Sequence, residues 1–240
     1  MKILFDHLVL AGGGHTHALM LLRWARHPYQ RPKGLITLIN RDSTTIYSSM
    51  FPGIIAGKYR LEDAQINLRQ LADLAGVAFV QAEIIGLNPA KKFLSLEQRT
   101  NINFSRISLD LGSGTNVENL KHLVEREEFA VPVRPFKKAL KWIELQDDQS
   151  IKSNSKPFSV IGSGLAGIEI VFALRKRWPN RTLNLQVSSE RAKELFGKSL
   201  VLANINLVER NELLSGPALL CTGSKAPNFL ESSGLETDSS

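Results

Sequence analysis

The sequence predicts an α/β protein with two Rossmann-like βαβ dinucleotide-binding domains, each built on a mostly parallel sheet in a three-layer arrangement. The order of apolar strand, glycine turn, amphipathic helix and apolar strand occurs twice, and each glycine turn stands between a strand and a helix. The strands and helices of the two units are predicted at 7–11, 15–27 and 35–39, and at 158–161, 165–178 and 183–187. Each unit has the size expected of a βαβ unit, about 30 residues.

The second glycine turn has the complete G-x-G-x-x-G pattern. It consists of Gly162, Ser163, Gly164, Leu165, Ala166 and Gly167. In this pattern the first glycine permits the tight turn, the second lets the backbone approach a pyrophosphate, and the third lets the helix pack closely on the strand. The helix start then directs free N–H groups and a positive dipole end at the phosphates. A glycine-rich helix start without a ligand is the alternative interpretation.

The first glycine turn departs from the pattern at its third glycine. Its residues are Gly12, Gly13, Gly14, His15, Thr16 and His17, so that His17 stands where the third glycine would be. The acidic residue that usually closes such a unit and binds the ribose is replaced by Asn40 in the first unit and by Ser188 in the second. In the second unit the nearby Arg191 and Lys193 favour a 2′-phosphate slightly, and therefore NADPH.

The composition is that of a globular protein with a basic surface. Of the 240 residues 43% are hydrophobic and 22% are charged, and the formal net charge is +7. An excess of basic residues favours binding to nucleic acid, to an anionic membrane surface or to phosphate-bearing ligands. Because the basic residues are scattered, we expect no nucleic-acid partner, whereas peripheral membrane contact stays open. The single cysteine, Cys221, is expected to be a small buried hydrophobe, and it fits a reducing, cytoplasmic compartment.

Further elements are predicted outside the two βαβ units. Helices are predicted over 67–75 and 136–145, strands over 77–87, 93–96, 107–111, 200–208 and 217–221, and a polar linker or exposed loop over 146–156. The stretch 192–199 loosely resembles a P-loop, but it lacks the leading glycine and precedes residues predicted as strand. His15 and His17 are two residues apart on a predicted helix and do not share a face, so no metal site is predicted.

Several segments together resemble the pyridine nucleotide-disulfide oxidoreductase-like flavoproteins. They are GGGHTHA (12–18), YSSMFPGIIAG (47–57), SLDLGSG (108–114) and LCTGSKAPN (220–228). The sequence is most similar to the branch that is related to type II NADH dehydrogenases and occurs alone or fused to selenide, water dikinase. The resemblance implies that the first turn binds FAD, and that the second binds NAD(P)H in a domain inserted within the FAD domain. It also implies further cofactor-binding positions: Tyr47, Ser48, Pro52, Gly112, Glu169, Thr222 and Gly223.

The resemblance covers nearly the whole chain, with three departures. The sequence has no counterpart of the family's C-terminal Gly-Asp segment, its NAD(P)H domain is short between Glu190 and Pro217, and it has no CxxC pair for disulfide reduction. We therefore expect a shortened relative of the family. The expected domains are an FAD-binding domain over 1–130, a linker helix and loop over 131–156, and a shortened NAD(P)H domain over 157–225. Over 226–240 the chain is expected to begin its return to the FAD domain, which stays incomplete.

The resemblance implies an FAD-dependent NAD(P)H oxidoreductase. In such an enzyme hydride passes from NAD(P)H to the flavin, and electrons then pass to a small-molecule acceptor, for which a quinone is one candidate. This chemistry requires no protein acid or base, and the sequence predicts no catalytic residue. The alternative is a dinucleotide-binding module without turnover. Association with selenide, water dikinase follows only by analogy with the fused branch.

Overall fold

The computed structural model describes residues 6–120, 123, 129–150, 156–187, 190–209 and 216–236. In chain order the helices are α1 (His15–Arg26), α2 (Phe51–Ile55), α3 (Leu68–Leu74), α4 (Phe136–Glu144), α5 (Asp147–Ser150), α6 (Leu165–Arg177) and α7 (Glu190–Leu202). The strands are β1 (His7–Ala11), β2 (Leu35–Asn40), β3 (Thr44–Ile46), β4 (Gln65–Asn67), β5 (Ala78–Gln81), β6 (Ile84–Asn88), β7 (Phe93–Leu96), β8 (Ile102–Asn103), β9 (Arg106–Leu109), β10 (Gly114–Thr115), β11 (Ala130–Pro132), β12 (Phe158–Ile161), β13 (Leu183–Val187), β14 (Ile205–Glu209), β15 (Ala218–Leu220) and β16 (Ser224–Lys225).

The chain forms two compact units. The first comprises Met1–Tyr47, Gln65–Ser113 and Ala226–Ser240, and the second comprises Ser48–Ala64 and Gly114–Lys225. Because the first unit resumes where the second has ended, the second is inserted in the first. Each unit contains a parallel sheet in which a glycine turn follows the strand β1 or β12. The predicted fold class is therefore confirmed, while the predicted bounds of the FAD and NAD(P)H domains stay a prediction.

The first unit has three layers. Its central sheet has the order β5-β2-β1-β9, and all neighbouring strands are parallel. Because successive side chains of a strand point to opposite faces, Leu10 packs on the side of α1 and α3, whereas Val9 packs on the other side. The antiparallel sheet β6-β7-β8 covers that second side with residues such as Leu94. The parallel sheet is buried on both faces, which explains the continuous apolar runs of its strands.

The second unit repeats this strand order. Its parallel sheet has the order β11-β15-β12-β13-β14, and α6 packs on β12 and β13. In the first unit, β1 lies between β2, the next strand of its βαβ unit, and the later strand β9. In the second unit, β12 lies in the same way between β13 and the later strand β15. In open α/β sheets, ligands bind outside the carboxyl ends of the strands where the strand order reverses. Both glycine turns lie at such a point.

Most predicted elements are confirmed with bounds that differ by at most two residues. They are β1, β2, β7, β9, β12, β13 and β15, together with α1, α3, α4 and α6. The helix α3 begins one residue later than predicted because Asn67 is its N-cap, with the side-chain oxygen accepting from the N–H of Gln70 at 3.0 Å. Among the described helices, none is both long enough and apolar enough to span a membrane.

Two strand predictions are wrong in part. The stretch 77–87 is not one strand, because β5 pairs with β2 and the chain then leaves this sheet, so that β6 pairs with β7. The stretch 200–208 begins within α7, and β14 starts at Ile205, after Asn204 has turned the chain with a φ of 56°. Short apolar runs fit a helix or a strand equally well, so their periodicity cannot separate the two. Of the predicted linker, residues 151–155 lie outside the described part of the chain.

The linker prediction is also wrong at Asp147–Ser150, which forms α5. The carboxylate of Asp147 accepts hydrogen bonds from Nε of Arg177 at 2.8 Å and from its Nη2 at 2.6 Å. The indole N–H of Trp178 donates to the same carboxylate at 2.7 Å. These partners lie at the end of α6, 30 and 31 residues further along the chain. No local pattern therefore indicates that this polar stretch is held in place.

The ion pair of Asp147 makes the stability of the fold sensitive to acid. Burial by itself raises the pKa of Asp147, but hydrogen bonds from Arg177 and Trp178 outweigh this and hold the pKa below its ordinary value of 3.8. A lowered carboxyl pKa contributes stability above the unfolded-state pKa, and the contribution is lost as the pH falls through the folded-state value. We expect Asp147→Asn to lower the free energy of unfolding by roughly 1–2 kcal/mol at neutral pH.

Urea unfolding near pH 7 and near pH 3 measures this effect, because the difference between Asp147→Asn and the wild type should shrink below about pH 4. Asp148→Asn is the matched control, since Asp148 is the exposed neighbour on the same helix. A difference of equal size at both pH values would contradict a role for the charge of Asp147.

Candidate functional site

Two glycines of the second turn are required by the backbone of the protein itself. Gly162, which follows β12, has a φ of 118°, a value that favours glycine. A methyl group at Gly162 would lie 2.3 Å from the carbonyl oxygen of Cys221. One at Gly167 would lie 1.8 Å from the carbonyl oxygen of Gly162. Neither position has room for a side chain, and the two glycines together allow α6 to start close to the end of β12.

The middle glycine of this turn faces open space. Gly164 is the N-cap of α6 with an ordinary φ of −68°, and no atom of the described residues lies within 4 Å of where its methyl group would be. Leu165, the next residue, is 70% exposed. Within the described residues, the backbone N–H groups of Leu165 and Ala166 have no acceptor. A helix start with free N–H groups and a positive dipole end binds anions readily, so the second turn fits a pyrophosphate.

The first turn is closed by Asp110, the residue that follows β9. A methyl group at Gly12, whose φ is 93°, would lie 2.2 Å from the carbonyl oxygen of Asp110, and one at Gly14 would lie 2.1 Å from its Oδ1. The N–H of Gly14 donates to the same carbonyl oxygen at 3.1 Å. The N–H of His17 donates to Oδ2 of Asp110 at 3.0 Å. Asp110 therefore caps α1 with its carboxylate.

His17, which stands at the position of the third glycine, connects the turn to β9 by hydrogen bonds. Its side chain is fully buried, with Nδ1 2.7 Å from the carbonyl oxygen of Gly12 and Nε2 2.9 Å from the hydroxyl oxygen of Ser108. Because a carbonyl oxygen only accepts, Nδ1 donates to Gly12, and in a neutral ring Nε2 then accepts from the Ser108 hydroxyl. At the start of α1, the N–H groups of His15 and Thr16 have no acceptor within the described residues. These two groups are the donors that the first turn retains for an anion.

Asn40, at the end of β2, uses both ends of its amide to order the first turn. Its Oδ1 accepts from the N–H of Gly13 at 2.8 Å, and its Nδ2 donates to the carbonyl oxygen of Asp42 at 2.8 Å. A methyl group at Gly13 would lie 2.1 Å from Cδ1 of Leu68. The packing of Leu68 therefore explains the glycine at this position. In the second unit, the corresponding Ser188 lies outside the described residues.

Among the other predicted site residues, Tyr47 lies beside the first turn. Its ring stacks on that of His15, with the centroids 4.8 Å apart. Ser48 and Pro52 belong to the second unit, where Ser48 precedes α2 and Pro52 lies within it. Glu169 is exposed on α6. Of the three predicted loop residues, Tyr47 is thus the one that belongs to the unit of the first turn.

The remaining predicted positions follow the later strands β9 and β15. Gly112 is exposed and has a φ of 69°. The hydroxyl of Thr222 donates to the carbonyl oxygen of Asn116, and the N–H of Asn116 donates to the carbonyl oxygen of Gly223 at 3.1 Å. Thr222 and Gly223 therefore hold together the two chain segments that form the ribbon β10-β16. Ser163, in the second turn, is buried.

Sequence reasoning missed Asp110, Ser108 and Leu68 as parts of the first turn. Asp110 and Ser108 contact His17 from 93 and 91 residues away. One signal was available, because an aspartate within the predicted apolar strand 107–111 needs a partner if it is buried. The sequence does not show that this partner is the start of α1.

Comparisons with known proteins support the fold. No protein-family model matches the chain, and no curated protein matches it significantly. The sulfide:quinone oxidoreductase of Aquifex aeolicus matches with a TM-score of 0.73 at 15% identity, over 95% of this chain and 61% of its own. The NAD-dependent persulfide reductase of A. fulgidus matches with a TM-score of 0.77 at 16% identity, over 97% and 49%. NDH2 of Plasmodium falciparum, solved in complex with NADH, matches with a TM-score of 0.72 at 13% identity, over 92% and 55%.

The chain has the fold of these oxidoreductases. The likeness agrees with the two parallel sheets and the two glycine turns, and it establishes the fold at identities of 13–16%. The chain spans 49–61% of the length of these three structures. None of the three is a selenide, water dikinase, so the association with that enzyme gains no support from them.

Proposed function

We propose that the chain is an FAD-dependent NAD(P)H oxidoreductase that binds one dinucleotide at each glycine turn. The open start of α6 at Gly164 carries this proposal, because it offers a pyrophosphate both room and N–H donors. The turn also lies at the carboxyl end of a parallel strand where the strand order reverses, which is where such folds bind nucleotides. When bound, NAD(P)H and FAD supply hydride and electron transfer, and the protein orients them.

The second turn is assigned to NAD(P)H. Gly162 and Gly167 hold the backbone in the shape that exposes Gly164, and the N–H groups of Leu165 and Ala166 would donate to the pyrophosphate. No side chain of this turn is required for that contact. The proposed attraction for the pyrophosphate therefore comes from backbone shape and from the helix dipole.

The first turn is assigned to FAD. The N–H groups of His15 and Thr16 would donate to its pyrophosphate, because Asp110 already accepts from the N–H of His17. The stacked rings of Tyr47 and His15 provide an aromatic surface beside these donors. From the resemblance we add Gly12, Gly13, Gly14, Asn40 and Gly112 as proposed cofactor-binding positions of the first unit. The proposed positions of the second unit are Ser48, Pro52, Ser163, Glu169, Thr222 and Gly223, of which Ser163 and Glu169 belong to the NAD(P)H turn.

The electron acceptor is proposed to be a small molecule, with a quinone as the candidate. One protein of the same fold is named a sulfide:quinone oxidoreductase. The single cysteine of the sequence, Cys221, cannot form a dithiol pair. Burial raises its pKa to about 12, so the thiol stays protonated at neutral pH and is a poor nucleophile. A cytoplasmic location with contact at an anionic membrane surface belongs to the same proposal, on the net charge of +7.

The visible absorption spectrum of the purified chain tests the proposed function. We expect a flavin spectrum to remain after FAD is added and the excess is removed, and we expect it to bleach when NADH or NADPH is added without oxygen. Comparing the two nucleotides tests the preference predicted from Arg191 and Lys193. Gly164→Asp is the control, because a carboxylate in the open space should prevent bleaching and leave the flavin spectrum. A protein that stays colourless with added FAD would contradict the FAD assignment.

A dinucleotide-binding module without turnover is the second candidate. The carboxylate of Asp110 favours it, because this group lies at the start of α1, where the pyrophosphate of FAD would bind. Such a module would bind a nucleotide at the second turn and would oxidise no NAD(P)H. A measurable rate of NAD(P)H oxidation with a quinone or dye acceptor would exclude it.

A further inference from the structure

Asp110 and Cys221 hold equivalent places in the two units. Each follows the later strand, β9 or β15, that pairs with β1 or β12. The N–H of Asp110 donates to the carbonyl oxygen of Ala11 at 2.8 Å, and the N–H of Cys221 donates to that of Ile161 at 2.7 Å. Each residue also places its own carbonyl oxygen against the first glycine of the turn. The two turns can therefore be compared position by position.

The two side chains differ in charge. Cys221 is a buried thiol, and burial raises its pKa to about 12, so the second turn has a neutral group at this place. Asp110 has a carboxylate, whose Oδ2 accepts from the N–H of His17 at 3.0 Å. Its Oδ1 fills the space beside Gly14 that is open beside Gly164 in the second turn. The first turn thus has an anion of its own at the positive end of α1.

We propose that Asp110 is an internal anion that lowers the affinity of the first turn for a pyrophosphate. The inference rests on the proposed function, because it requires that this turn binds FAD. A phosphate held by the N–H groups of His15 and Thr16 would lie near the Asp110 carboxylate, and like charges repel strongly in a partly buried place. In the second turn the equivalent residue, Cys221, is neutral and exerts no such repulsion. The two turns are therefore unequal in the charge that a bound pyrophosphate meets.

The FAD affinity of Asp110→Asn tests this inference. Asparagine keeps the shape and an acceptor for the N–H of His17, and it removes only the charge. FAD binding is measured by the quenching of FAD fluorescence. We expect FAD to bind roughly 10- to 100-fold more tightly to the variant than to the wild type, while the affinity for NADH stays unchanged. Asp73→Asn is the matched control, because this exposed residue of α3 gives the same change in net charge. It should bind FAD as the wild type does.

The salt dependence of FAD affinity is a second test, because a purely structural role of Asp110 would not change with salt. Because repulsion between charges is screened, the difference in FAD affinity between the wild type and Asp110→Asn should narrow between about 20 mM and about 500 mM salt. A difference that is independent of salt would contradict the electrostatic cause. If thermal unfolding shows that Asp110→Asn does not fold, Asp110→Cys is used in its place. This variant has the residue found at the equivalent position of the second unit, and the same results are expected of it.

The outcomes separate this inference from the proposed function. Equal or weaker binding of FAD by Asp110→Asn would show that Asp110 is only a helix cap, and it would overturn the inference while the proposed function stood. Failure of both proteins to bind FAD at any concentration would overturn the FAD assignment and the inference together. Tighter binding with an unchanged NADH affinity is the expected result.

Discussion

Gly167→Ala is expected to lower the free energy of unfolding by about 3 kcal/mol and to abolish nucleotide binding at the second turn. The added methyl group would lie 1.8 Å from the carbonyl oxygen of Gly162, far inside van der Waals contact. That oxygen belongs to the backbone directly after β12, so it cannot rotate away as the end of a side chain could. The helix α6 must therefore move, and its movement displaces the N–H groups of Leu165 and Ala166 that the pyrophosphate needs.

Gly164→Ala is the matched control, because it adds the same methyl group three residues earlier. At Gly164 the φ is −68°, and no described atom lies within 4 Å of the added group. The free energy of unfolding should change by less than about 0.5 kcal/mol. The affinity for NADH should still fall, since the methyl group takes the space of the approaching pyrophosphate.

Urea unfolding and titration of NADH fluorescence measure the two effects separately. Wild-type stability in Gly167→Ala would contradict the close packing of α6 on β12. Unchanged NADH affinity in Gly164→Ala would contradict the assignment of the pyrophosphate to this turn, whatever the stability of the variant.

The same glycine pattern has different physical causes in the two turns. In the second turn Gly164 faces open space, as expected of a residue that admits a ligand. In the first turn the equivalent Gly14 faces the carboxylate of Asp110. Sequence spacing predicts the turn and the helix start in both cases, because these depend on neighbouring residues. It cannot predict what lies opposite the glycine, because Asp110 is 93 residues away from the helix residue it caps.

Elements that depend on distant contacts escaped prediction for the same reason. The sequence shows no local cause for placing α2 in the second unit, but Phe51 packs against Phe136 with ring centroids 4.4 Å apart. Arg177 also donates to the carbonyl oxygen of Ile55 at 3.1 Å. By contrast, β1, α1, β12 and α6 have strong apolar periods and glycine turns of their own. Their existence was predictable, whereas the partners of the segment Ser48–Ala64 were not.

Arg181→Ala is expected to lower the free energy of unfolding by about 3 kcal/mol. Arg181 is only 2% exposed, and its guanidinium carbon lies 4.7 Å from the centre of the Trp178 ring and 5.1 Å from that of Phe158. Its Nε donates to the carbonyl oxygen of Lys156 at 3.2 Å, and its Nη1 donates to that of Gln146 at 3.3 Å. Alanine would leave a cavity beside the two rings and remove a donor from both carbonyl groups.

Arg181→Met separates the packing of this side chain from its charge. Desolvation lowers the pKa of Arg181 to about 10 against the opposing effect of Asp147, so burying the cation is itself unfavourable. Methionine fills similar space without a charge, and replacing a buried ion by a well-packed apolar side chain is often neutral. We therefore expect a loss of roughly 1 kcal/mol for Arg181→Met, measured by urea unfolding beside Arg181→Ala and the wild type. If methionine is as damaging as alanine, the hydrogen bonds to the two carbonyl groups, rather than the packing on the rings, supply the stabilisation.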